Sequence, residues 1–251
     1  MENPSRRDRP SPAEPVSQLR FIPVRECGEP LVDFLQLCPG LLLDRPRFRY
    51  QRETLLRRTV AEKLCRAEQS LPKAYRLAIV EGWRPPHIQR RMYRALWNRF
   101  RQEHPDWSEV RLKRVVNRFS APMNDRVPPP HTTGGAVDLM LADADGQVVD
   151  LSSPYDPFDA GSYPFDAPGL SETARRHREI LAQALLSVGL TNYPSEFWHW
   201  SYGDQGWAYR SSSPNAIYGA ITPPGYQPDP ADDIDAPLEF ILAASENADF
   251  S

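Results

Sequence analysis

The stretch "PPPHTTGGAVDLML", residues 128–141, places a histidine between three prolines and a Thr-Thr-Gly-Gly turn, directly before an apolar strand. Because side chains alternate along a strand, Asp138 lies among small and apolar neighbours. A buried carboxylate without a partner is so costly that such groups are normally paired or bound to a metal. The turn can bring His131 towards Asp138, and its two glycines permit close approach to a ligand. A capping aspartate beside a surface histidine is the alternative.

A second segment, "SEFWHWSYG" at 195–203, contributes another histidine. In an extended chain its odd-numbered residues share one face, while two tryptophans anchor the other face in the core. Two imidazoles and one carboxylate are the protein ligands of an open catalytic zinc, so His131, Asp138 and His199 are candidate ligands. Glu196 has the character of a general base for a zinc-activated water. The alternative for His199 is a core histidine with backbone partners.

Arg84 lies in "EGWRPP", at the end of a predicted strand and directly before a predicted helix. The macrodipole at a helix N-terminus disfavours a cation, so a permanent positive charge there needs an anionic partner. One interpretation is a salt bridge to Glu81 or to another acidic side chain. The other is contact with a developing oxyanion or with a substrate carboxylate.

The surrounding patterns predict an α+β fold, a small antiparallel sheet flanked by helices, because helices and hairpin strands alternate without regular βαβ spacing. The "VVDL" segment is the predicted hairpin partner of the strand that carries Asp138. Segments "EFWHWSY" and "WAYR" are predicted as two short strands, or as a strand and a turn. Strands are predicted at 75–83 and 136–142, and helices at 51–71, 85–100, 108–119 and 171–190.

Composition and charge indicate a globular domain with proline-rich ends. Hydrophobic residues make up 40% and charged residues 25% of the 251 residues, an ordinary globular mixture. The net charge of −3 argues against nucleic acid as a partner. The first twenty residues hold no apolar signal segment, and no stretch approaches eighteen apolar residues, so we expect a cytoplasmic protein that does not bind a membrane, with a periplasmic location left open.

Proline clusters suggest the domain boundaries. We predict a disordered N-terminal arm at 1–18, one domain at 19–222 and a tail rich in proline and aspartate at 223–251. Within the tail, "LEFILAA" is an apolar island that could dock as a single turn or helix. The three cysteines include no C-x-x-C pair, which argues against a thiolate zinc site or a disulfide scaffold.

Taken together, these residues resemble the D-alanyl-D-alanine dipeptidases, zinc peptidases related to DD-carboxypeptidases and to the hedgehog-like zinc fold. The resemblance rests on H-x6-D, then E-x-W-H, and an upstream W-R-P, and it spans about residues 75–210. It implies one Zn²⁺ held by the two histidines and the aspartate. It also implies that Glu196 acts as base and then as acid, and that Arg84 stabilises the tetrahedral intermediate.

The same resemblance implies a substrate: a small D-alanyl-D-alanine-type dipeptide from the bacterial cell wall. Asp156 matches the acid that holds the free ammonium group of that substrate. One position departs from the family, because Pro129 replaces a serine two residues before the first histidine ligand. The missing hydroxyl leaves the substrate preference open. A DD-carboxypeptidase acting on longer cell-wall peptides and a non-catalytic, zinc-stabilised binding module remain alternatives, and the oligomeric state is not determined.

Overall fold

The computed structural model describes residues 14–46, 48–151, 164–230 and 233–241. Within these ranges the chain is α+β. The helices are α1 Val16–Leu19, α2 Phe34–Leu37, α3 Arg58–Ser70, α4 Pro86–Glu103, α5 Glu109–Val116, α6 Glu172–Ser187 and α7 Gln205–Arg210. The strands are β1 Leu31–Asp33, β2 Leu42–Leu43, β3 Phe48–Arg49, β4 Leu55–Arg57, β5 Tyr75–Glu81, β6 Ala136–Asp143, β7 Thr191–Asn192, β8 His199–Ser201 and β9 Glu239–Phe240.

The largest sheet has the strand order β2-β5-β6-β8-β7. Strands β5, β6, β8 and β7 pair antiparallel, whereas β2 pairs parallel with β5. The prediction of an antiparallel sheet is therefore wrong at this edge. Parallel pairing requires a long crossover connection, and the segment between β2 and β5, which includes α3, supplies it.

One face of the sheet is covered by α3 and α6. In α3, Val60, Leu64 and Ala67 are fully buried, at the spacing of one helical face. They belong to the same core as Leu139 of β6 and Leu181 of α6. Because side chains alternate along β6, its opposite face carries Asp138 and Met140.

A second core joins α4 and α5 to the small sheet formed by β3 and β9. The apolar positions of α4 that we predicted four residues apart, from Ile88 to Phe100, are all buried there. Helix α4 begins at Pro86, as predicted, since proline is favoured in the first turn. A cavity lies between this second core and the face of the large sheet that carries Asp138 and Met140.

Two local predictions are wrong, one because of a distant strand partner and one because of a local helix cap. The start of the predicted helix 51–71 is strand β4, which pairs with β1. The "WAYR" segment belongs to helix α7, where Asp204 caps the N-terminus by accepting from the Trp207 backbone N–H. The hairpin predicted for "VVDL" is present in a short form, as the antiparallel bridge Ala142–Val148 with β6.

Both predicted terminal segments contain ordered structure. Helix α1 crosses the predicted boundary between arm and domain and buries Leu19, and Glu14, within the predicted arm, forms an ion pair with Arg210. In the predicted tail, "LEFILAA" contributes strand β9 rather than a helix, and Leu238 is buried in the second core. Among the described helices, none combines the length and the hydropathy that a membrane span requires.

Candidate metal centre

The structure brings together His131, Asp138 and His199, three residues that the sequence spreads over almost seventy positions. His131 Nε2 lies 3.3 Å from Asp138 Oδ2 and 3.2 Å from His199 Nδ1. His199 Nδ1 lies 2.9 Å from Asp138 Oδ1. Ligands held at about 2.0–2.1 Å from a tetrahedral zinc are about 3.3 Å apart. Each of the three contacts is close to that spacing, with the two imidazoles facing different oxygens of Asp138.

Strand register and a tight turn produce this convergence. Strands β6 and β8 pair so that Asp138 lies directly opposite His199. His131 lies in a 3₁₀ turn, Pro130–Thr133, which ends at Gly134 with φ of 69°, a conformation that favours glycine. A Cβ atom on Gly135 would lie 2.6 Å from the Tyr202 carbonyl oxygen, so this glycine permits the close approach of β6 to the chain after β8.

The His131 ring is oriented as a metal ligand. Its Nδ1 lies 2.9 Å from the Gly82 carbonyl oxygen, which can only accept, so we assign the proton to Nδ1 and the lone pair to Nε2. Burial lowers the pKa of His131 to about 4, although the Asp138 charge acts in the opposite direction. The imidazole is therefore neutral at pH 7, as coordination requires.

His199 and Asp138 form a hydrogen-bonded pair. Burial opposes ionisation of Asp138, yet its contacts with His131 and His199 outweigh burial and hold its pKa well below the usual range. Burial also lowers the pKa of His199, but the hydrogen bond and charge of Asp138, followed by the charges of Glu196 and Asp204, raise it overall. A cation that binds at these atoms has to displace the proton from His199 Nδ1.

Glu196 lies in a turn before β8, where its backbone N–H donates to the Tyr193 carbonyl and its own carbonyl accepts from the His199 N–H. The predicted extended conformation is therefore wrong at this point. Phe197 does not share a face with His199, because it packs in the core with Trp198 and Trp200. The turn leaves Glu196 half-buried at the cavity, near enough to His199 to raise its pKa.

Arg84 forms the predicted ion pair, and it also lies in the wall of the cavity. Its Nη2 lies 3.4 Å from Glu81 Oε2 and 4.0 Å from Asp138 Oδ2, while Nη1 donates to Gln89 Oε1 at 2.7 Å. The salt bridge to Glu81 therefore exists, and Arg84 also lines the cavity. Among the described residues, the buried Nε of Arg84 has no acceptor. A ligand oxygen in the cavity could supply one.

The structure adds residues that sequence reasoning missed. The Tyr50 hydroxyl donates to Glu81 Oε2, and Asp204 acts electrostatically on His199. The pKa of Glu81 is raised to about 7, because burial and the Asp138 charge, which raise it, outweigh the contact with Arg84, which lowers it. No local pattern marks Tyr50, whereas Asp204 could have been noticed as a helix cap five residues after His199. Asp156 lies outside the described residues.

The cavity between the sheet and α4 has a volume of about 470 Å³. This volume suits a small molecule. Its wall includes each predicted site residue that the structure describes: Arg84, His131, Asp138, Glu196 and His199. Met92 and Trp198 contribute apolar wall beside these polar side chains.

Comparison with known proteins gives two kinds of match. The peptidase M15 family model, described as D-ala-D-ala dipeptidase, matches residues 42–217. The chain is 28% identical over 241 residues to a D-alanyl-D-alanine dipeptidase of Synechocystis sp., covering 82% of this chain and 98% of that protein. It is also 30% identical over 69 residues to a D-alanyl-D-alanine dipeptidase of Escherichia coli, covering 28% of this chain and 35% of that protein.

Proposed function

This chain belongs to the D-ala-D-ala dipeptidase family of peptidases, and on that premise we propose that it hydrolyses D-alanyl-D-alanine-type dipeptides to free amino acids with one bound Zn²⁺. The convergence of His131, Asp138 and His199 in one cavity carries the proposal. Two imidazole nitrogens and one carboxylate oxygen form the donor set of an open catalytic zinc, which keeps a fourth position for water or substrate.

The remaining residues suit a hydrolytic step. Zinc at this site would supply a water of pKa about 7 and polarise the scissile carbonyl. Glu196 would take a proton from the attacking water and later return it to the leaving amine. Arg84, held beside Asp138, would stabilise negative charge on the carbonyl oxygen. Its buried Nε, which has no acceptor among the described residues, supports this role.

The substrate class is part of the proposal. We assign recognition of the free ammonium group to Asp156, and we place the substrate among dipeptides derived from peptidoglycan. Pro129 lines the cavity without offering a hydroxyl, so one polar contact that a serine could make is absent. The proposed partner is this small substrate, and we propose neither nucleic acid nor a membrane as a further partner.

Metal analysis combined with a panel of dipeptides tests the function. We expect about one zinc per chain and hydrolysis of D-Ala-D-Ala, with little hydrolysis of L-Ala-L-Ala or N-acetyl-D-Ala-D-Ala. Efficient cleavage of the N-acetylated or longer peptides would instead identify a DD-carboxypeptidase. Bound zinc without hydrolysis of any peptide would indicate a binding module.

Replacing Arg84 with alanine is expected to reduce kcat by about 10²- to 10³-fold, the usual effect of losing one donor to an oxyanion. The metal content should not change, because none of the three ligand atoms is removed. Steady-state kinetics and zinc analysis measure the two quantities. Arg99→Ala, which removes a half-buried arginine of α4 paired with Glu103 and outside the cavity wall, is the matched control and should retain the wild-type rate. A fully active Arg84→Ala protein would remove Arg84 from the mechanism.

A further inference from the structure

Gln89, in the first turn of α4, is only 1% exposed and links Arg84 to the segment after α5. Its Oε1 accepts from Arg84 Nη1 at 2.7 Å. Its Nε2 donates to Ser120 Oγ at 3.0 Å and to the Ala121 carbonyl at 2.7 Å. Because a guanidinium group can only donate and a carbonyl can only accept, these partners permit one orientation of the amide.

Two carboxylates attract Arg84 from the other side. Its Nη2 lies 3.4 Å from Glu81 Oε2 and 4.0 Å from Asp138 Oδ2. Arginine and carboxylate groups prefer a bidentate pair of two parallel hydrogen bonds. Without a competing acceptor at Nη1, the guanidinium group would therefore rotate to form a bidentate pair with Glu81. That rotation would also change its position relative to Asp138. The Gln89 carbonyl provides that competing acceptor, on the α4 side of the guanidinium.

We infer that Gln89 is a positioning residue, whose side-chain amide keeps the Arg84 guanidinium turned towards the cavity and away from a bidentate pair with Glu81. This inference rests on the proposed function, in which Arg84 stabilises the oxyanion. The anchoring is firm because both ends of the amide are used: Arg84 occupies Oε1, and Ser120 and Ala121 hold Nε2. In this role Gln89, although it lines the cavity, acts through Arg84 and not by contact with the reacting atoms.

The inference predicts a specific kinetic signature. An oxyanion contact forms mainly in the transition state, so a misplaced Arg84 should lower kcat with little change in KM. Small misplacements of a catalytic group are sufficient to reduce rates by about 10- to 100-fold. If Gln89 had a purely structural role, its replacement would lower thermal stability. It would not lower kcat selectively while leaving KM nearly unchanged.

The test uses Gln89→Met, which keeps the length of the side chain and removes its hydrogen bonds. We expect kcat to fall by about 10- to 100-fold, KM to change by less than about threefold, and the zinc content to stay near one per chain. Ser120→Ala, which leaves the Ala121 contact intact, should have a smaller effect of the same kind. If Gln89→Met folds poorly, Gln89→Asn keeps the amide but withdraws it by one methylene.

A double-mutant cycle with Arg84→Ala decides whether Gln89 acts through Arg84. In the Arg84→Ala protein, adding Gln89→Met should change kcat by less than about twofold, since the group it positions is already gone. If the falls in kcat of the two single variants multiply in the double variant, the inference is overturned. It is also overturned if Gln89→Met retains the wild-type rate while Arg84→Ala is impaired. That second outcome leaves the proposed function intact. A fully active Arg84→Ala contradicts the mechanism itself.

Discussion

Replacing Glu196 with glutamine is expected to reduce the hydrolysis of D-Ala-D-Ala by about 10²- to 10⁴-fold, the range for loss of a general acid–base group. Glutamine preserves the size of the side chain but cannot take a proton from water. The protein should still bind one zinc, because the three atoms that converge in the site belong to His131, Asp138 and His199. Steady-state kinetics and metal analysis of the same preparation measure both quantities.

The titration of His199 gives this variant a second readout. The Glu196 charge is one of the influences that raise the pKa of His199. Removing that charge should lower the pKa of His199 in the metal-free protein, which an NMR titration of the imidazole measures. Glu179→Gln, on the exposed side of α6, is the control and should change neither property. If Glu196→Gln hydrolyses the dipeptide at the wild-type rate, Glu196 is not the base.

Replacing His199 with alanine should remove both zinc and hydrolysis. Changes to groups that merely orient a ligand already weaken metal binding by about 10- to 100-fold, so loss of a ligand should exceed that range. Competition with a chelator measures the affinity. In the wild-type protein, added zinc should raise the midpoint of thermal unfolding, because a ligand that binds only the folded state stabilises it. This zinc-dependent increase should be absent from His199→Ala.

His177→Ala is the matched control for that variant. His177 is half-buried on α6, and its Nδ1 lies 2.8 Å from the Asp150 carbonyl oxygen. It does not line the cavity, so the control should bind zinc and cleave substrate like the wild type. Full zinc occupancy in His199→Ala would show that the three residues do not form the ligand set.

Local signals predicted several helices well. In α6, Ser171 accepts from the Ala174 N–H at the start, and Gly189 follows the end with φ of 82°. Ser108 caps α5 in the same way, by accepting from the Arg111 N–H. These predictions succeeded because a cap depends on residues within one helical turn of it. The more detailed prediction of a hedgehog-like fold stays a prediction.

Predictions failed where distant segments supply the partner. Residues 55–57 resemble the start of a helix, yet β4 pairs with β1. Strand β2 joins the large sheet in parallel because of a crossover that no local pattern reveals. The same reason explains why "LEFILAA" was predicted to dock as a turn or helix instead of a strand: β9 is defined by its pairing with β3, almost two hundred residues earlier.

The sequence by itself determined which side chains have the chemistry of a zinc site, since strand alternation and a stiff turn make His131 and Asp138 unusual where they stand. It also marked Glu196 and His199 through their spacing. Only the tertiary structure decided that Arg84 is held between Glu81 and Gln89. Hydrogen bonds of this kind depend on how a strand, a helix and a remote loop pack together, and that packing is a property of the whole fold.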